Sequence, residues 1–168
     1  MPKSEQGLVE HAYTVIPRTL IFIFNNNQEV LLIKGSTHKE RWQNVYNGVG
    51  GHIEAGEDIL TAANRELAEE TGIQECPINL CGQIMIDVFD HQGVALFVFK
   101  GHYEDQTIQP SNEGELYWMP MKEIENLPLV DDLPVLLPMV YAYNAGEPII
   151  IGKYFYNNDG KLLTKFVG

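Results

Sequence analysis

Glu66, Glu69 and Glu70 stand at i, i+3 and i+4, a spacing that sets three carboxylates on one face if the segment is helical. Residues 57–71 contain no proline and no glycine, and Ile59, Ala62, Ala63 and Leu67 recur at three- and four-residue intervals, so the pattern predicts a helix. Glu57 and Asp58 fall in its first turn, where carboxylates favour the positive end of the helix dipole. Gly72 stands where a left-handed cap would end it. Three anions this close repel one another, and a hard divalent cation resolves the conflict. An oxygen-only cluster suits magnesium, with manganese as the alternative. Arg65 can reach back toward a carboxylate and hold it in place. An isolated Glu-x-x-Glu-Glu is ordinarily a solvated acidic face, and the glycine-rich Asn47-Gly48-Val49-Gly50-Gly51 ahead of it is, alone, only a turn. Such glycines also permit close backbone approach to a ligand, so the meaning of the acids depends on the pattern around them.

The elements that position these residues can be read in outline. Residues 18–24 and 29–34 are β-rich runs flanking Asn25-Asn26-Asn27-Gln28, which predicts a hairpin. Residues 82–89 and 94–103 form a second strand pair around Asp90-His91-Gln92-Gly93. Residues 115–120 read as a further strand and 122–126 as a short helical turn. Residues 132–144 read as a second helix with Pro134 near its start and Gly146 past its end; Pro138 should kink or shorten it. Residues 149–156 and 161–166 flank Asn157-Asn158-Asp159-Gly160, a strong hairpin turn. Strands mixed with two helices predict a mixed sheet covered on both faces, an α/β architecture.

Composition narrows the function classes. The chain has 168 residues, 45% hydrophobic and 20% charged, which suits one globular domain with a sizeable core. A net charge of −12 argues against binding a nucleic-acid polymer, whose phosphates demand basic surface. It is compatible with a small phosphorylated substrate if magnesium supplies positive charge locally. Cys76 and Cys81 have no histidine nearby and read as reduced packing residues. The apolar run at residues 20–24 is too short to span a membrane and lacks a signal peptide's layout, so the expected location is cytoplasmic, with no membrane partner.

Around the three glutamates, the whole stretch Gly51-x5-Glu57-x7-Arg65-Glu66-Leu67-x-Glu69-Glu70-x-Gly72-Ile73 resembles the Nudix box at every position. Seven fixed residue types and two apolar ones coincide by chance about once in ~10⁹ starting positions. The resemblance implies the Nudix fold, an α/β/α sandwich with a mixed sheet, and a single Nudix hydrolase domain over residues 1–168 with its core at about 15–166 and the box at 51–73. It implies hydrolysis of a nucleoside diphosphate linked to another moiety. It also implies metal ligation by Glu66, Glu69, Glu70 and the Gly51 carbonyl, with Arg65 supporting them.

Beyond the box the chain is similar to the MutT-related oxidised-purine nucleoside triphosphatase branch. The likeness rests on Arg41-Trp42, the Asn47-Gly51 loop, Gly82-Gln83-Ile84, Tyr117-Trp118, Asp131-Asp132 and Gly152-Lys153-Tyr154-Phe155. It implies that Asn47, Asp131 and Asp132 bind the purine. An adjacent pair of buried carboxylates resists double ionisation, so it offers a base edge both a donor and an acceptor. The alternative for either aspartate is a cap on the following helix. Glu113 aligns with the loop acid that such enzymes bring toward the metals, with Glu115 as the fallback. Lys34, Lys39 and Arg41 are the basic residues nearest upstream of the box; Lys34 is the phosphate-contact candidate, against surface solvation. Two positions depart from the branch: Leu129 and Ile86 stand where it has aromatics, which implies weaker or broader base preference.

The expected activity is a magnesium-dependent nucleoside triphosphate pyrophosphohydrolase acting on oxidised purine nucleotides such as 8-oxo-dGTP, releasing monophosphate and pyrophosphate. Glu69 is the favoured general base, with Glu66 or Glu113 as alternatives. Two other readings stand beside it: a Nudix hydrolase of a nucleotide sugar or pyrimidine triphosphate, and a non-catalytic nucleotide sensor, against which the complete box argues. Monomer and homodimer are equally compatible with the sequence.

Overall fold

The computed structural model describes residues 2, 6–7, 11–35, 44–105, 107–109 and 114–167. Eight strands form one mixed sheet: β1 (Thr14–Phe24), β2 (Glu29–Gly35), β3 (Tyr46–Asn47), β4 (Ile78–Phe89), β5 (Gln92–His102), β6 (Gly114–Pro120), β7 (Ile150–Tyr156) and β8 (Leu162–Val167). They run in the order β3-β2-β1-β5-β4-β7-β8, with β6 also paired to β2. The β1–β5 and β4–β7 pairings are parallel and the other strand pairings antiparallel.

The apolar run in β1 explains the layering. Leu20, Phe22 and Phe24 pack into one core with Leu133, Leu136, Leu137 and Val140. Ile21 and Ile23 point the other way, into a core with Ala63 and Leu67. A strand apolar on both faces is one covered on both faces. The two covers are α1 (Ile59–Thr71) and α2 (Leu133–Ala142), which gives the expected α/β/α sandwich.

Element boundaries follow local chemistry. Helix α1 begins at Ile59 because Asp58 accepts hydrogen bonds from the Leu60 and Thr61 amides (2.8 and 2.9 Å) and so stands outside as the N-cap. Glu57 and Asp58 are therefore not in the first turn, a correction to the sequence reading. The helix ends at Gly72, whose φ of 77° is left-handed. Helix α2 is shorter than residues 132–144; Pro138 lies on its exposed side and the helix continues through it to Ala142. The Asn157 side chain closes the β7–β8 turn by accepting from Asp159 and Lys161 amides. Both cysteines are free and buried, and burial pushes the Cys81 thiol up to about 12. Among the described residues no helix is long and apolar enough to cross a membrane.

Candidate active site

The loop after β3 lies across β1 as an irregular extra strand. Val49 and Ile21 exchange backbone hydrogen bonds (2.7 and 3.2 Å), and the Thr19 amide donates to the Gly51 carbonyl at 2.8 Å. The Gly51 carbonyl keeps a second lone pair for another partner. Close packing over β1 requires a glycine at position 50: φ is 142°, and a Cβ there would lie 2.3 Å from the Thr19 carbonyl oxygen. At Gly51 the obstruction is different. A Cβ would lie 2.3 Å from Glu66 Oε1, so the glutamate carboxylate occupies the space that glycine leaves open.

Helix α1 presents its acids to this loop. Glu70 is only 8% exposed, and its Oε2 accepts from the Gly50 amide at 3.0 Å. Arg65 holds the remaining acids: Nη1 donates to Glu66 Oε1 at 2.9 Å and to Glu69 Oε2 at 3.2 Å. Its other edge donates to Glu57 twice (2.7 and 2.9 Å) and to the His52 carbonyl at 3.0 Å. The bidentate pair to Glu57 ties the helix to the segment before it. Glu66 and Glu69 differ in access: their side chains are 14% and 61% exposed. The most solvent-accessible of the acids is thus Glu69.

The chemistry of this set fits a hard divalent cation. It offers three carboxylates and a carbonyl with a free lone pair, and a cradle that any Cβ at position 51 would fill. Among the described residues no three His, Cys, Asp or Glu side chains already converge on one point; Arg65 and the Gly50 amide hold the carboxylates instead. Glu113 lies outside the described residues, as do Lys39 and Arg41.

Arg65 and the Glu54 amide hold Glu57 down at about 2, against an ordinary 4.5. A depressed carboxylate stabilises the fold above its ordinary value, and that contribution disappears as pH falls through the folded value. Thermal melts of the wild type and Glu57→Gln should therefore differ most above pH 4.5 and converge toward pH 2. A gap that persists unchanged at pH 2 would contradict this role.

A second group of predicted residues gathers at the other end of the loop. The Tyr46 amide donates to Pro128 O at 2.8 Å, and the Val130 amide donates to Tyr46 O at 3.1 Å. This parallel bridge between Tyr46 and Leu129 brings the Asp131–Asp132 segment alongside Asn47. The Asn47 side-chain oxygen accepts from the Gly48 amide at 2.8 Å. Asp132 precedes α2 but makes no side-chain cap bond to it. Burial, then the neighbouring Asp131 charge, pushes the Asp132 carboxyl up. Lys34 pairs in register with Tyr46 and sits 5.7 Å above its ring, while Asn47 pairs with Ile33.

The roles of three residues escaped the sequence reading. Thr19 looked like an ordinary strand residue, yet its amide fixes the Gly51 carbonyl. Asp58 carried a visible signal, a cap residue directly before an apolar-periodic run. Tyr154, on β7, approaches Asp132 and had no local signal beyond an apolar strand.

The chain is similar to known proteins in sequence and in fold. A family model described as the NUDIX domain matches residues 15–139. An uncharacterized Nudix hydrolase of Bacillus subtilis is 26% identical over 156 residues, covering 90% of this chain and 94% of that protein. An m7GpppN-mRNA hydrolase of Danio rerio is 34% identical over 65 residues, 39% of this chain and 22% of that protein. Among solved structures, the mutator MutT protein from Bacillus halodurans superimposes with a TM-score of 0.75 at 26% identity, covering 90% of this chain and 97% of that one.

Proposed function

The chain belongs to the Nudix hydrolase family, whose members are metal-dependent pyrophosphohydrolases of small nucleotide derivatives, and from that premise we propose a magnesium-dependent nucleoside triphosphate pyrophosphohydrolase that acts on oxidised purine nucleotides such as 8-oxo-dGTP. The observation that carries this reading is the packing of the α1 acids on the Gly50–Gly51 loop, with Glu66 in the space beside Gly51 and Glu70 on the Gly50 amide. Glu66, Glu69, Glu70 and the Gly51 carbonyl would hold the cation, with Glu113 a further candidate. When bound, the cation offsets the polyphosphate charge and lowers the pKa of water at the site.

The protein's own groups supply the rest. Arg65, anchored by Glu57 and the His52 carbonyl, fixes the orientation of Glu66 and Glu69, so their carboxylates need little reorganisation when substrate arrives. Glu69 is the general base of choice, because its greater exposure gives water access and its contact with Arg65 orients it. Glu66 and Glu113 are the alternatives. Cleavage leaves a nucleoside monophosphate and pyrophosphate. Lys34, next in the chain to Ile33, the strand partner of Asn47, is the candidate for a phosphate contact.

Base recognition is assigned to Asn47, Asp131 and Asp132. The bridge from Tyr46 to Leu129 brings these segments together, and the Asp132 side chain is not spent on capping α2. Burial and the adjacent Asp131 charge push the Asp132 carboxyl up, which supports this role. Changing both to Asn should reduce the preference for 8-oxo-dGTP over dGTP by roughly 10-fold or more, measured as a ratio of kcat/KM. Unchanged selectivity in the double variant would sink the assignment.

One feature favours a broader substrate class. Leu129 and Ile86 are aliphatic at the base end, and stacking on an aromatic contributes about 1–3 kcal/mol per base. A panel including a nucleotide sugar and a pyrimidine triphosphate, read by pyrophosphate or monophosphate release, separates the two readings.

A further inference from the structure

Tyr154 is 1% exposed, and its hydroxyl makes no hydrogen bond of full geometry in the structure. Buried hydroxyls almost always have a partner, so an orphan of this kind calls for an explanation. Its surroundings supply one. In the parallel β4–β7 pairing Tyr154 stands in register with Ile86, the aliphatic residue at the base end of the site. Phe166 of β8 closes its ring edge-on at a centroid distance of 5.9 Å. The remaining neighbour is Asp132: the phenol pulls the Asp132 carboxyl down, against burial and Asp131, and burial and Asp132 in turn push the phenol up. The Asp132 side chain has no cap bond on α2 to hold it. A buried donor without a full hydrogen bond therefore lies against a carboxylate that the helix does not fix.

We propose that Tyr154 is the positioning residue of the base site, donating its hydroxyl to Asp132 when nucleotide is bound and so holding that carboxylate as an acceptor toward the base. The assignment rests on the reading of Asp131–Asp132 as base-recognising. It has a specific consequence. A guanine-type Watson–Crick edge presents two adjacent donors, whereas an adenine-type edge pairs a donor with an acceptor. Fixing Asp132 as an acceptor favours the guanine type, and losing the phenol hydroxyl penalises it selectively.

The test compares wild type, Tyr154→Phe, Asp132→Asn and the double variant of the full chain, with magnesium, on 8-oxo-dGTP and on 8-oxo-dATP. Tyr154→Phe should raise KM for 8-oxo-dGTP about ten-fold, change kcat by less than about two-fold, and raise KM for 8-oxo-dATP less. Its melting temperature should not fall, because the hydroxyl removed has no partner of full geometry in the free protein. In the Asp132→Asn background the same change should add nothing. An unchanged KM for 8-oxo-dGTP in Tyr154→Phe, or a full effect in the Asp132→Asn background, would overturn the assignment. So would an equal loss on both nucleotides accompanied by a lower melting temperature. If Asp132→Asn alone leaves KM and selectivity untouched, or wild type does not turn over 8-oxo-dGTP, the base-site reading has failed first and the role of Tyr154 falls with it. If Asp132→Asn acts and Tyr154→Phe does not, only the role of Tyr154 is wrong.

Discussion

Glu69→Gln and Glu70→Gln are each expected to lower turnover by about two orders of magnitude or more while leaving the protein folded. The two changes remove a negative charge by different routes. Glu70 is buried and accepts from the Gly50 amide at 3.0 Å; a glutamine oxygen can accept the same bond, so the loop stays docked on α1 while a charge is lost. Glu69 is mostly exposed and meets Arg65. Surface changes of that kind move stability by only a few tenths of a kcal/mol, about 0.5 at most. Circular dichroism and thermal melts close to wild type, together with collapsed pyrophosphate release, are the expected pair of results. Near-normal turnover in both variants would remove these residues from the metal site.

The second large effect separates two adjacent glycines. Gly50→Ala forces a Cβ to within 2.3 Å of the Thr19 carbonyl and a side chain into φ of 142°. Backbone blocks this change on both counts, at a cost of about 3 kcal/mol. For a domain of this size that lowers the melting temperature by roughly 6–12 °C. Gly51→Ala instead meets the far end of Glu66, with its Oε1 at 2.3 Å. That carboxylate can swing aside, so the fold survives and the acid is displaced from the loop. Gly51→Ala should therefore lose activity by roughly 100-fold or more with a melting temperature close to wild type. A Gly51→Ala enzyme of normal activity would show that the apposition of Glu66 and Gly51 has no part in turnover.

The parts of the molecule legible in the sequence are those governed by local spacing. The periodicity of Ile59, Ala62, Ala63 and Leu67 marked α1, and Gly72 marked its end. The start was misplaced by two residues because Asp58 uses its side chain on the Leu60 and Thr61 amides, a choice that spacing does not reveal. Residues 18–24 read as a strand, and the structure buries residues 20–24 on both faces. Their parallel pairing with β5, each residue with one about 78 further on, could not be read, because register between distant strands is set by the assembled core. The same division runs through the site. The three glutamates and Arg65 lie within one helix and were visible as a group. The segments carrying Asn47 and Asp131–Asp132 run alongside through a bridge between Tyr46 and Leu129, and only the family resemblance had linked these residues. Tyr154 was read only as part of the 149–156 strand and of the Gly152–Phe155 resemblance; its approach to Asp132 depends on β7 and α2 packing into one core.

The central claim is that this chain splits a nucleoside triphosphate into monophosphate and pyrophosphate with a divalent cation held by Glu66, Glu69, Glu70 and the Gly51 carbonyl. The most direct measurement follows the products of 8-oxo-dGTP, dGTP and the wider nucleotide panel in magnesium, in manganese and in excess chelator. Pyrophosphate and monophosphate in equal amounts, released with either cation and abolished by chelator, is the predicted result, with 8-oxo-dGTP the preferred substrate. Orthophosphate as the product, or turnover that chelator leaves intact, would contradict it.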